Sequence, residues 1–232
     1  MGSVKTKSTY IILYVLGLSL LSGLSLWQYK RGVAKQAIEA IAKQADEMTV
    51  SVVPEDWNET IYRRSYVEGR WSDPRSFVLE NRIYRQRVGY EVFTPFQLSG
   101  DGKWILVNRG WVATTNEASR IEVAGPARLA GVVYLPEKGV ALGDAILPEV
   151  LNSPLWPKKS LYIDLGAFSG ALGMELEPAV LVLDESDPTA FVRIWKAAVM
   201  PAAKHFGYAV QWLGLAITFL IYGVIWFRRR AT

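Results

Sequence analysis

The sequence predicts a membrane protein of the α+β class. Two transmembrane helices, one near each end, flank one extracytoplasmic antiparallel β-barrel-like domain carried on a helical stalk. Three observations predict it. Residues 8–29 and 206–227 contain no charged side chain. All 22 acidic residues fall within residues 39–187. Between the two apolar stretches, short runs of β-branched and aromatic residues alternate with Pro and Gly. A mean hydropathy of +0.13 over 232 residues is high for a soluble domain, and the two stretches account for the excess.

The chain starts with a short cytoplasmic tail, residues 1–9, and a first span over 10–29. A bilayer helix needs about 20 apolar residues. Tyr10, Trp27 and Tyr29 stand at its ends, as an interfacial aromatic belt requires. The run is too long for the apolar region of a cleaved signal peptide, and Trp27-Gln28-Tyr29-Lys30-Arg31 is a poor cleavage site. It reads as an uncleaved anchor. The second span, 206–227, carries Tyr208, Trp212, Trp226 and Phe227, and 228–232 is a second cytoplasmic tail. Lys5, Lys7 and Arg228, Arg229, Arg230 lie in the tails, whereas residues 30–205 hold 21 basic against 22 acidic side chains, a net of −1. The positive-inside rule therefore sends both termini to the cytoplasm and residues 30–205 to the periplasm; Lys30, Arg31 and Lys35 pull the other way. The pI near 9.2 reflects the membrane lipid surface and implies no nucleic-acid partner.

Residues 30–48 continue the first helix outward as an amphipathic stalk, with Ala34, Ala37, Ile38, Ile41, Ala42 and Ala45 on one period. Residues 60–190 form the barrel. Strand texture runs over 64–71, 76–84, 88–98, 104–112, 127–135, 160–165 and 179–183, with 99–103 as a hairpin loop. Residues 139–159 read as an irregular insertion.

Composition excludes much chemistry. With no Cys there is no disulfide frame, thiolate metal site or cysteine nucleophile, and His205 is the one histidine. No catalytic residue is expected, and no metal site other than an iron bound through His205. On a helix, His205, Tyr208 and Trp212 share a face at the outer end of the second span. The histidine is either interfacial decoration or an axial haem ligand, since imidazole suits iron and aromatic walls suit a flat macrocycle. In the barrel, Leu79-Glu80-Asn81-Arg82 and Val107-Asn108-Arg109-Gly110-Trp111 share an Asn-Arg pair. Arg109 alternates in phase with Ile105, Val107 and Trp111, so it must be paired or stacked, with Glu80 and Glu91 as natural partners. The cluster is either a salt-bridged piece of the barrel or a partner contact. Small residues at 209, 216 and 223, and Ser19 with Gly23, would let two helices approach closely.

Taken in order, Trp27-Gln28 with Arg31 and Lys35, Tyr66-Val-Glu-Gly-Arg70, Leu79-Glu-Asn-Arg82, Gly89-Tyr90, Thr94-Pro95-Phe96, Val107-Asn-Arg-Gly-Trp111 and His205-x-x-Tyr-Ala-x-Gln-Trp212 resemble the Surfeit locus protein 1 family. The resemblance implies a two-span protein of the bacterial inner membrane that assists biogenesis of haem–copper cytochrome c oxidase. It implies transient binding of haem a, with His205 as ligand and Trp27, Tyr208 and Trp212 flanking the ring. The implied partners are oxidase subunit I and other oxidase or haem A biosynthesis factors, contacted through the barrel. A membrane-tethered scaffold that never touches haem is the alternative.

Overall fold

A computed structural model describes residues 2–44, 50–51, 57–100, 102–118, 123–136, 143–197 and 200–231. They form two units: residues 41–197, and the terminal segments 1–40 with 198–232. The elements in chain order are α1 (Gly2–Gln44), β1 (Val50–Ser51), β2 (Arg64–Trp71), β3 (Phe77–Tyr84), β4 (Arg87–Leu98), β5 (Trp104–Val112), α2 (Thr115–Ala118), β6 (Gly125–Tyr134), α3 (Pro148–Leu151), β7 (Lys158–Ser160), α4 (Leu165–Leu172), β8 (Leu176–Leu183) and α5 (Ala202–Ala231).

In residues 41–197 the strands run β1-β2-β6-β8-β5-β4-β3-β7, and β2 pairs again with β4. The long strand β4 makes this closure possible. Its first part takes β3 along one edge, and Gln97 and Leu98 then offer the same edge to Arg70 and Gly69 of β2. The ring β2-β6-β8-β5-β4 is a closed five-stranded barrel with the Greek-key order of OB-type barrels. Within the ring, β5–β8 is parallel and every other pair antiparallel, a departure from an all-antiparallel barrel. A parallel pair needs a crossover and tends to be covered on both faces. Strand β8 shows the consequence: Leu181 and Leu183 point into the barrel with Ile105, Val107, Phe96 and Leu129, while Val180 and Val182 join a second core with Phe77, Phe93 and Phe168.

Helix α4 covers that second core, and here the strand expected over 160–165 is wrong. Asp164 caps the helix by accepting from the Ala167 amide at 3.1 Å, and Gly173 ends it in the left-handed conformation at φ 72°. The strand that does form, β7, lies just upstream and pairs parallel with β3. The insertion expected over 139–159 is ordered where it is described. The buried Lys158 donates from Nζ to the carbonyls of Val150, Leu151 and Ser153 at 2.9, 3.0 and 2.7 Å. Residues 139–142 of that insertion, and 45–48 of the stalk, lie outside the described residues.

In the other unit, α1 and α5 are long and apolar enough to cross a membrane, over Tyr10–Ala42 and Ala202–Arg229. They pack antiparallel: Tyr14 donates to the carbonyls of Phe219 and Leu220, Ser25 to that of Ala209, and Gln28 faces His205. Ala202, Ala209, Ala216 and Gly223 are buried, as expected for the last three. Their spacing of seven is a coiled-coil seam. Added side chains would not fit there: a Cβ on Gly223 would lie 2.2 Å from the Tyr14 ring, and one on Gly32 2.6 Å from Phe206. Ser19 and Gly23 are not the matching stripe. Both are exposed, because a 3.5-residue period puts Gly17, Ser25 and Gly32 on the seam instead. The same phase corrects the stalk, where Ala34 and Ala37 face outward while Lys35, Ile38 and Glu39 turn in. Glu39 Oε1 accepts from the Ala202 amide at 2.9 Å, capping a helix whose own first turn has no acid.

Candidate functional site

His205 sits on the seam of the helix pair and is only 8% exposed. Its Nδ1 lies 2.8 Å from the amide oxygen of Gln28 on α1. One turn further along α5, at Ala209, a cleft of about 290 Å³ opens between the helices. Leu26, Tyr29, Val210 and Leu213 give it apolar walls, and Ser22 and Ser25 are its polar edge. The aromatics expected beside the histidine divide. Trp212, seven residues on, shares the seam and is half-buried. Trp27 and Tyr208 are 52% and 46% exposed on the outer surface, because the seam takes Gln28 on α1 and steps by four from His205 to Ala209 on α5, leaving each aromatic one residue off the contact line. Gln28, adjacent to Trp27, is the site residue that sequence reasoning passed over. It is the one amide side chain in residues 8–29, and a polar group inside an apolar helix usually has a partner on another.

In the barrel, one residue of each Asn-Arg pair, Arg82 and Asn108, meets the buried Glu91. Asn108 donates from Nδ2 to Glu91 Oε1 at 2.7 Å and accepts from the Gly110 amide at 2.9 Å. Arg82 Nε lies 3.4 Å from the other Glu91 oxygen, and Trp111 donates from Nε1 to the Arg82 carbonyl at 2.9 Å. Glu80 pairs outward with Lys159 at 3.5 Å. Asn81 bulges between them at φ 59°, a conformation that Asn tolerates better than most residues.

Arg109 pairs with neither of its expected partners. A bulge sets Phe93 opposite Asn108 and Val92 opposite Gly110, so Arg109 is the extra residue and leaves the Glu91 side. It is 2% exposed; Nε donates to the Thr189 carbonyl at 2.9 Å, and the guanidinium stacks 4.7 Å over Phe191. Burial pushes its pKa down to about 10, with Asp187 opposing the shift, and at neutral pH the group stays charged.

Burial also raises the Glu91 carboxyl above its usual range, against the Asn108 hydrogen bond and Arg82. A carboxyl raised on folding carries no penalty at pH below its unfolded value, near 4.5, and costs stability as pH rises through the folded value. Glu91→Gln keeps an acceptor for Asn108 and removes the charge. The expected result is an unfolding midpoint unchanged below pH 4 and raised at pH 7; a lower midpoint at pH 7 would show that the Arg82 pairing outweighs burial.

Fold and site define a class: a small closed barrel carried with a pair of membrane-grade helices whose seam holds the chain's one histidine. The SURF1 family model matches residues 15–217, and the chain belongs to that family. Among relatives, a SURF1-like protein of Rickettsia conorii is 26% identical over 91% of this chain and 88% of its own length. The Surfeit locus protein 1 of Takifugu rubripes is 28% identical over 83% and 86%. A SURF1-like protein of Dictyostelium discoideum reaches 31%, over 42% of this chain and 40% of that one.

Proposed function

We propose that this protein assists assembly of haem–copper cytochrome c oxidase by taking up haem a at His205 and handing it to subunit I. The two helices span the bacterial inner membrane with both termini cytoplasmic, and the barrel is periplasmic. What carries the reading, beside family membership, is one observation: the chain's one histidine lies on the seam of two membrane-grade helices, a turn away from an apolar cleft. Imidazole is a fitting ligand for haem iron, and Leu26, Tyr29, Val210 and Leu213 are fitting neighbours for an apolar macrocycle. Trp27 and Tyr208 face outward, available to a ring that approaches sideways through lipid, and Trp212 backs the seam. A single protein ligand suits a carrier, which must release its cargo. No catalytic step is involved. The barrel, with Arg82 and its hydrogen-bonded neighbours, would dock on subunit I or on another oxidase or haem A biosynthesis factor.

The second reading, a tethered scaffold that never binds haem, is favoured by the burial of His205, which is what a packing histidine also shows. One experiment separates the two. The protein is purified in detergent from cells that make haem A, wild type beside His205→Ala, and its visible spectrum is recorded. A Soret band with extractable haem a in the wild type, lost or weakened in the variant, is expected. Equal haem content in the two sinks the ligand assignment, and no chromophore in either supports the scaffold.

A further inference from the structure

We infer that Gln28 is the positioning residue of His205: its amide oxygen holds the imidazole in the tautomer protonated on Nδ1, leaving Nε2 as the nitrogen open to a metal. A neutral imidazole has one donor and one acceptor nitrogen, and an amide oxygen only accepts. At 2.8 Å from Gln28 Oε1, Nδ1 must therefore carry the proton and donate it. The lone pair that remains is on Nε2. Among the described residues, Gln28 is the polar partner that His205 has.

Two polar groups of α1, one on each side of Gln28, are committed elsewhere. Ser25, nearly one turn below, donates to the Ala209 carbonyl at 2.9 Å, and Glu39, three turns above, accepts from the Ala202 amide at 2.9 Å. Each bond ties α1 to a different turn of α5, which fixes the register in which Gln28 meets His205. With His205 only 8% exposed, the imidazole and the amide lose most of their water on packing, so the pairing is strongly selected. The arrangement matches the outer-shell contact of metal-binding histidines. There, a second group takes the other ring N–H, fixes tautomer and ring orientation, and makes the ligating nitrogen more basic. The metal-binding consequence rests on the haem reading above; the tautomer does not.

Because His205 is the one histidine, protein labelled with 15N-histidine in detergent shows a single imidazole. Two-bond 1H–15N correlations of the neutral ring then read the proton's position directly. In the wild type, Nε2 is expected at the shift of an unprotonated nitrogen and Nδ1 at that of a protonated one. Gln28→Met, of similar length but without a strong acceptor, should move the ring towards the Nε2–H form. Hemin titrated into the same samples should bind Gln28→Met about 10- to 100-fold more weakly than the wild type, with His205→Ala as the floor. An Nε2–H ring in the wild type, as a turned amide donating its N–H to Nδ1 would give, overturns the inference. So does a tautomer that Gln28→Met leaves unchanged. An Nδ1–H ring that responds to Gln28→Met, with hemin binding no better than in His205→Ala, upholds the positioning role and overturns the haem reading.

Discussion

Replacing Gly69 with alanine should open the barrel. The seam between β2 and β4 consists of two residue pairs, Gly69 with Leu98 and Arg70 with Gln97, extended by the Ser99 amide donating to the Glu68 carbonyl at 2.8 Å. A Cβ on Gly69 would stand 2.0 Å from the Gln97 carbonyl oxygen and 2.6 Å from the Phe96 ring. A flexible side chain could step aside from such a contact; a strand backbone cannot without breaking its ladder. The same seam holds Trp71 edge-on against Phe96 at 4.9 Å, in the centre of the first core. Overpacking against backbone on this scale costs about 3 kcal/mol or more, and for a domain of this size that lowers the thermal midpoint by roughly 6–12 °C. Near-ultraviolet circular dichroism in detergent follows the buried tryptophans, Trp57, Trp71 and Trp111 among them, and gives the midpoint. Gly170→Ala is the control: nothing lies within 4 Å of its added Cβ, so the midpoint should hold or rise slightly. A Gly69→Ala protein that melts with the wild type would mean the seam is not what closes the ring.

Trp111→Ala should be as damaging, by another route. The indole lies across the turn end of the β3–β4 hairpin, tilted against Tyr84 at 5.4 Å, with its N–H on the Arg82 carbonyl. Gly89 leaves room for it, since a Cβ there would come within 2.6 Å of the ring. Removing a buried tryptophan costs about 3–5 kcal/mol. Trp111→Phe keeps a ring in the space and loses the hydrogen bond, for about 1 kcal/mol. The hairpin supplies a second readout. Its turn residues Arg85 and Gln86 both hold positive φ, 46° and 64°, a conformation non-glycine residues resist. With the indole gone, trypsin should cut after the exposed Arg85 and Arg87 much faster than in the wild type, and only slightly faster in Trp111→Phe. Equal cutting in all three would detach Trp111 from the hairpin's order.

The barrel was legible because Pro and Gly punctuate its runs of β-branched and aromatic residues. Strands over 64–71 and 104–112 end where composition says they should, at Trp71 and Val112. Two features were not legible, each for a physical reason. The Leu-Gly-Ala-Phe-Ser-Gly-Ala-Leu stretch of α4 carries two glycines and a β-tolerant phenylalanine, so local propensity is silent, and the helix exists because Asp164 and Gly173 cap it over an apolar face. The parallel pairing of β5 with β8 joins segments about 70 residues apart, and only the unbroken apolar run Ala179-Val-Leu-Val-Leu183 hints at burial on both faces. In the site, His205 stood out as the one histidine, whereas Gln28 is a middling polar residue in an apolar run and acquires meaning from a partner on another helix. Arg109 needs a partner by its apolar phase, and it has one in the Thr189 carbonyl and the Phe191 ring. The phase points to Glu91 instead because a one-residue bulge redirects the side chain, and no sequence period encodes a bulge.

The pairing of His205 with Gln28 also carries a clock. The two residues are 177 positions apart, and Tyr14 reaches Leu220 across 206. At about 5–20 residues per second, synthesis of the chain between Gln28 and His205 takes roughly 9–35 s. Throughout that interval the first helix waits in the bilayer with its amide unmet, while the barrel strands emerge and fold. The nascent protein therefore has no histidine until every strand of the barrel has been made, and under the haem reading proposed above, loading at His205 would follow synthesis of the whole barrel.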